Sequence, residues 1–132
     1  MKIDELGRSP LHYAVIDLPI EEHSKAIHKL VKEGANPNLQ DKNGWTPLHF
    51  SAQKNSYEGT NALLENGAEI DTVDSHGNTA LWRAVFSSEG NGKIIELLLK
   101  AGSNKNLENN SGTSPLSLAK RISNYDIEQF FK

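Results

Sequence analysis

Residues 43–52 read NGWTPLHFSA, and this stretch decides the fold. Thr46 followed by Pro47 predicts the start of a helix, because threonine can accept a backbone N–H at the N-cap and proline has the φ of the first helical position. Two large aromatic residues, Trp45 and Phe50, flank this helix start, although a connection at the surface does not require them. The sequence therefore raises the question of whether these rings belong to the core or contact a partner.

The stretch recurs along the chain, together with a second motif. The octets GRSPLHYA, GWTPLHFS, GNTALWRA and GTSPLSLA begin at Gly7, Gly44, Gly77 and Gly112. The heptads KLVKEGA, ALLENGA and LLLKAGS follow the first three and end at Ala35, Ala68 and Ser103. Both series repeat at about 33 residues, which is typical of a repeat protein.

A period near 33 residues with a TPLHxA core is the ankyrin pattern, and the chain resembles ankyrin-repeat proteins over essentially its whole length. The resemblance implies an all-α solenoid of about four helix-pair repeats with protruding β-hairpin fingers, in a single domain over residues 1–132. Repeats are expected at about 4–37, 41–73, 74–108 and 109–132. Helices are expected, to within about 2–4 residues, near 10–17, 22–33, 47–54, 57–65, 80–88, 92–100, 115–122 and 125–131.

Several positions depart from this pattern. Extra residues lie between the helices of repeat one (DLPIEEHS) and repeat three (SSEGNGK). Gly59 and Thr60 occupy positions that are usually apolar, which favours close packing against a bulky neighbour. Lys120 and Glu128 predict that repeat four ends the solenoid with one solvated face. The first repeat is expected to cap itself, since the chain opens with Met1; the alternative is a piece cut from a longer protein.

Composition excludes several classes of protein. The chain has 132 residues, no cysteine and a formal net charge of −3. Without cysteine it has no disulfide, no thiolate metal site and no cysteine nucleophile. A mixed, slightly acidic balance argues against nucleic-acid binding, and no stretch approaches a membrane span. We expect a cytoplasmic protein that is a monomer when free.

The histidines are the first candidates for chemistry. His12 and His49 hold the fourth position of the TPLH motif, where the family resemblance implies hydrogen bonds between neighbouring loops. His23 and His28 are a weak metal candidate because they would not share a helical face well. We find no phosphate-binding glycine loop and no nucleophile motif. The sequence therefore predicts no enzyme and no cofactor, with a metal-dependent enzyme as a remote alternative.

The resemblance implies binding of another protein through the finger tips and the exposed side of each first helix. The candidate partner-binding residues are Tyr13, Lys42, Trp45, Phe50, Gln53, Lys54, His76, Asn78, Arg83 and Phe86, and repeat four adds Glu108, Asn110, Ser111, Thr113 and Arg121. Aromatic residues and arginine are the types that dominate interface energetics. Trp82 replaces the motif histidine and is expected to pack in the core, whereas Trp45 and Phe50 are expected to contact a partner.

The partner itself is less defined. The run TALWRAVF, the Gly-x-Gly insertion and the ending SPLSLAKRISNYDIEQFF resemble short solitary bacterial ankyrin proteins, some of which look like immunity proteins encoded beside toxins. This resemblance implies a stoichiometric inhibitor that neutralises a toxin. A general adaptor, scaffold or regulatory subunit is the alternative.

Overall fold

Short helices in consecutive pairs make up most of the computed structural model, which describes residues 2–132. The α-helices are α1 (Pro10–Asp17), α2 (His23–Lys32), α3 (Pro47–Gln53), α4 (Tyr57–Glu65), α5 (Ala80–Ser87), α6 (Lys93–Lys100) and α7 (Pro115–Arg121). Two 3-10 helices cover Ile20–Glu22 and Glu128–Phe131. The first helices α1, α3, α5 and α7 stack on one another in one layer, and α2, α4 and α6 form the second layer. The predicted all-α helix-pair solenoid is confirmed.

Each first helix begins at a hydroxyl N-cap. The side chains of Ser9, Thr46, Thr79 and Ser114 accept the backbone N–H three residues further on, at 3.1–3.4 Å. This bond satisfies one of the donors that the first turn of a helix leaves unpaired. The repeated Ser/Thr of the motif therefore sets where the layer of first helices starts.

The fingers are tight turns, and the β-hairpins predicted for them are not shown, since residues 2–132 contain no strand. In the second finger, Asp41 Oδ1 accepts the N–H groups of Asn43 and Trp45 at 2.9 and 2.8 Å. One backbone bond joins this finger to the previous one, from Lys42 N–H to Leu6 O at 2.9 Å. A single bond per neighbour does not make a strand ladder, so the fingers stack as turns.

The core lies between the two layers and runs the length of the stack. Its largest fully buried side chains include Leu48, Leu81, Ile95 and Leu98. They come from the motif leucines and from α6, whose apolar residues lie on one face of the helix. Since each helix pair covers only part of this surface, every repeat depends on its neighbours for burial.

Gly59 makes room for a histidine of the preceding repeat. A Cβ at Gly59 would lie 2.7 Å from Ser56 Oγ and 3.1 Å from His23 Nδ1. Thr60 is also buried and forms a 2.9 Å hydrogen bond with Ser51 Oγ. The prediction of close packing against a bulky neighbour is confirmed.

The end of the chain differs from the expected helix over 125–131. Only the 3-10 helix Glu128–Phe131 forms there, and it packs on α6 and α7. Tyr125 and Phe130 lie against Gly90 and Gly92 of the insertion in repeat three, and a Cβ at Gly90 would lie 2.8 Å from the Tyr125 ring. So short a segment is marginal as an isolated helix, and its aromatic contacts fix its conformation instead.

Candidate functional site

Aromatic rings and guanidinium groups alternate along the exposed side of the first helices. In repeats one and two, Arg8 Cζ lies 5.9 Å from the centre of the Tyr13 ring and 5.1 Å from that of Phe50. The Phe50 and Trp45 ring centres are 4.7 Å apart. These distances are within the range of cation–π and aromatic contacts, so the four side chains form one group.

The group continues into repeat three. Arg83 Cζ lies 4.4 Å from the centre of the Trp45 ring and 5.4 Å from that of Trp82. Trp82 and Phe86 stack with centres 5.5 Å apart and planes 11° apart. We call the continuous set the aromatic–arginine row; in contact order its members are Tyr13, Arg8, Phe50, Trp45, Arg83, Trp82 and Phe86.

Both arginines of the row are held by buried aspartates. Arg8 Nε donates to Asp41 Oδ2 at 3.3 Å, and Arg83 donates to Asp74 Oδ2 from Nε at 3.2 Å and from Nη2 at 2.7 Å. Burial raises the pKa of Asp74, but hydrogen bonds from Arg83 and from two backbone N–H groups outweigh it and lower the pKa below 3.8. The same carboxylates close the finger turns, so the fingers fix both guanidinium groups in place.

The exposure of the predicted partner-binding residues varies along the row and around it. Tyr13, Trp45, Phe50 and Arg83 are half-buried members of the row, and Phe86 is 64% exposed. Lys42, Gln53, Lys54 and His76 are exposed beside it. A shallow groove of about 250 Å³ within the row is lined by Arg8, Asp41, Asn43, Trp45, Phe50 and Gln53. Nine of the ten residues predicted in repeats one to three are therefore at least partly exposed.

Asn78 is the exception among these ten residues. It is only 4% exposed, its backbone oxygen accepts from His49 Nε2 at 2.8 Å, and its side-chain oxygen accepts from Asn109 Nδ2 at 2.8 Å. The prediction that it is exposed for a partner is corrected, since its polar atoms join neighbouring repeats.

Sequence reasoning placed Trp82 wrongly in the core and missed Arg8. Trp82 is half-buried and stacks in the row, so it is not one of the core residues; its indole N–H is nevertheless buried and lacks a hydrogen-bond partner. Arg8 was overlooked, although it precedes Ser9 just as Trp45 precedes Thr46. That shared motif position was the signal that could have found it.

The motif histidines hold the repeats together, as the family resemblance implied. His12 Nε2 donates to Trp45 O at 2.9 Å, and its Nδ1 accepts from Ser9 N–H at 3.0 Å. His49 donates to Asn78 O in the same way. Burial lowers the pKa of both imidazoles below 6.5, which favours their neutral form.

The weak metal candidate is not supported by the geometry. His23 is buried and both ring nitrogens have protein partners, Ser56 Oγ at 2.8 Å and Leu18 O at 2.9 Å. His28 is exposed near Glu65 and Asn66. Within residues 2–132, no group of three His, Cys, Asp or Glu side chains could hold a metal ion, and no helix in that range has the length and apolar character needed to cross a membrane.

Comparison with known proteins gives a consistent family. The family model for ankyrin repeats matches residues 11–109 in three copies. The chain is 32% identical over 119 residues to human transient receptor potential cation channel subfamily A member 1, covering 89% of this chain and 10% of that protein. It is 35% identical over 101 residues to human ankyrin repeat and SOCS box protein 3, covering 73% of this chain and 19% of that protein. The human SH3 and multiple ankyrin repeat domains protein 2 is 26% identical over 129 residues, which are 98% of this chain and 7% of that protein. The chain therefore spans a small part of each of these relatives.

Proposed function

The chain belongs to the ankyrin-repeat family, and on that premise we propose that it is a protein-binding module whose binding face is the aromatic–arginine row. Ankyrin repeats mediate protein–protein interaction. What is specific to this chain is the face, its residues and the type of contact it offers.

The observation that carries the proposal is the contact series of five rings and two guanidinium groups on one accessible side. Aromatic residues and arginine are the residue types enriched among hot spots. Phe86 adds an exposed apolar ring next to the half-buried ones, and exposed apolar surface that is contiguous usually marks an interaction site. Arginines are not expected at core positions, and large aromatic rings are not expected on a surface that contacts only solvent. The row therefore fits neither of these alternatives.

The row is also rigid before any partner arrives. Arg8 and Arg83 are fixed by Asp41 and Asp74, and Phe50 packs against the core. Ordering a long side chain at an interface costs about 0.5–1.5 kcal/mol, and here much of that cost is already met in the free protein. A fixed surface suits a protein that acts by covering or holding its partner.

Two specific roles are compatible with such a face. A stoichiometric inhibitor, such as a bacterial immunity protein that neutralises a toxin, would use the row to cover the active site of its target. An adaptor or regulatory subunit would use it to hold two proteins together. The names of the compared relatives mention a channel and a SOCS box protein and no toxin, so they lend no support to the inhibitor role.

The test uses Phe86→Ala and Trp45→Ala, with Tyr57→Ala as control. Tyr57 is 42% exposed and begins α4, in the other layer. The protein would be titrated by calorimetry against the product of the neighbouring gene and against a partner found by cross-linking. We expect each row variant to weaken binding by at least about 30-fold, since hot-spot truncation costs 2 kcal/mol or more, whereas the control binds normally.

The proposal fails if both row variants fold and bind like the unmodified protein. The two roles are separated by co-expression with the neighbouring gene. Rescue of growth from one particular toxin supports the inhibitor, and binding without any effect on toxicity supports the adaptor.

A further inference from the structure

The aromatic–arginine row ends beside a charged residue in repeat four. Counting from the first residue of each first helix, Phe86 in α5 and Arg121 in α7 hold the same position, and α5 packs on α7. The equivalent residues in α1 and α3 are Ile16 and Gln53. Arg121 is therefore the only charge in this series, one repeat along from the most exposed ring of the row.

Arg121 differs from the two arginines inside the row in its charge balance. Arg8 and Arg83 are each paired with a buried carboxylate. Arg121 is exposed, and Nη1 donates to the neutral hydroxyl of Thr113 at 3.2 Å. Across residues 2–132 it takes part in no ion pair. Its position is thus defined by a hydrogen bond while its charge is left uncompensated.

The rest of the row's border carries both signs of charge, with its exposed lysines in repeat two. Lys42 and Lys54 are exposed and form no ion pair within the described residues, although Lys54 Nζ donates to the backbone oxygen of Ile16. Exposed acids also border the row: Asp4 accepts a hydrogen bond from the Tyr13 hydroxyl, and Glu5 follows it in repeat one. Asp17 ends α1, Glu89 lies in the insertion after Phe86, and Glu108 lies in the finger of repeat four. Repeats two and four therefore offer cations without an ion pair, the acids of repeat one lie at the opposite end of the row from Arg121, and Glu89 and Glu108 are the exposed acids that oppose Arg121.

We propose that the row binds an acidic–apolar peptide segment of its protein partner, in which a large apolar side chain packs on Phe86 and Trp82 and an Asp or Glu accepts hydrogen bonds from Arg121. This inference rests on the proposed function and adds the chemistry of the partner. A guanidinium with free N–H groups matches a carboxylate in two-point geometry. A basic segment would instead meet Arg121, Lys42 and Lys54 with like charge, which interfaces avoid.

The experiment selects binders from a random dodecapeptide display library on the immobilised full chain. We expect selected peptides to combine a large apolar residue with an Asp or Glu a few positions away. Their affinities would then be measured by fluorescence anisotropy at low and high salt. Arg121→Glu should weaken the selected peptides by at least about tenfold, mainly through association and with less salt dependence, and a new selection on this variant should favour Lys or Arg.

The matched control is Lys120→Glu, which makes the same change in net charge at the neighbouring residue. The positions equivalent to Lys120 in α1, α3 and α5 are Val15, Ala52 and Val85, which are buried, so Lys120 faces the open end of the stack and not the row. It should leave peptide affinity within about twofold. Glu89→Gln should strengthen binding, because it removes one of the opposing acids.

The outcomes separate the inference from the proposed function. If selected peptides depend on Phe86 and Trp45 but show no preference for acids, or bind Arg121→Glu normally, the acidic–apolar inference is wrong and the binding face stands. If Lys120→Glu weakens them as much as Arg121→Glu, the effect is one of net charge and the inference is also wrong. If selection yields nothing, or peptides that ignore Phe86 and Trp45, both fail.

Discussion

Arg83 allows the aromatic–arginine row to be tested without a partner. Its side chain is 15% exposed and that of Asp74 is 0% exposed, and the guanidinium lies between Trp45 and Trp82. Arg83→Met keeps a flexible apolar stem between the two rings and removes the charge and the donors. Asp74 then remains buried with the backbone N–H groups of His76 and Asn78, at 2.9 and 3.0 Å, as its donors.

The expected loss follows from that partial compensation. Removing one partner of a buried ion pair costs about 3–5 kcal/mol. Two donors remain on Asp74 and Arg83 is not fully buried, so we expect a loss of about 2–3 kcal/mol in the free energy of unfolding. For a chain of this size that corresponds to a decrease in Tm of roughly 6–15 °C.

The assay is urea unfolding at neutral pH of four proteins: unmodified, Arg83→Met, Asp74→Asn and the double variant. Because the two groups share one contact, the double variant should lose less than the sum of the single losses, by at least about 1 kcal/mol. The pKa of Asp74 is lowered in the folded state, so its ionisation stabilises the fold above pH 3.8 and this contribution is lost as pH falls below 3.8. In Arg83→Met that loss should be smaller, because removal of the guanidinium raises the folded-state pKa of Asp74 and reduces its difference from the unfolded value. Additive single losses, or a change below about 0.5 kcal/mol for Arg83→Met, would refute this account.

Three further predictions concern the repeats themselves. Gly92→Ala, at a position without positive φ, should displace Phe130 and loosen the end of the chain. The measurement is hydrogen exchange, which should become faster after residue 122 and stay unchanged in the earlier repeats. Unchanged exchange after residue 122 would contradict the packing of Phe130 on Gly92. Burial lowers the pKa of His49 below 6.5, so its contribution to the free energy of unfolding should be full above pH 6.5 and fall as pH decreases below it. His49→Gln should reduce this dependence of the free energy of unfolding on pH, measured by urea titrations. An unchanged pH dependence would exclude the histidine as its source. Leu98→Ala, at 0% exposure, should cost about 2–5 kcal/mol, and a loss under about 1 kcal/mol would show that α6 is not the centre of the core.

Repeated positions were predictable because each one meets the same surroundings in every repeat. Thr46 caps α3 and His49 bonds the next finger, and Ser9 and His12 make the same two contacts one repeat earlier. Local chemistry and period suffice for such residues, since cap, turn and neighbour all recur. Five of the seven members of the row were predicted in the same way, once Tyr13, Phe50 and Arg83 were aligned, whereas Arg8 and Trp82 were not.

Residues whose contacts depend on the particular side chains of one repeat were not predictable. Asn78 has the motif position of Trp45, but Asn109 in the next finger binds its side chain and buries it. The final 3-10 helix depends on the contact of Phe130 with Gly92, which lies 130 − 92 = 38 residues earlier in the chain. The contact of Phe130 with Gly92 has no counterpart in the other repeats, so the period could not predict it. The contact of Asn78 does have one, since Arg8 bonds Asp41 at the same two motif positions, but different side chains occupy those positions.

Trp82 shows where stability and the proposed binding role compete in this chain. His12 and His49 each hold a backbone oxygen of the next repeat, whereas the indole N–H at this position is buried without a partner, and an unpaired buried donor costs about 1–3 kcal/mol. The following finger offsets part of that loss, because Asn109 and Asn110 donate side-chain bonds to Asn78 and Ser75 at 2.8 and 3.0 Å. A histidine here would restore the bridge but would remove the ring that joins Arg83 to Phe86. The residue is therefore better explained by what it adds to the row than by what it adds to the stack.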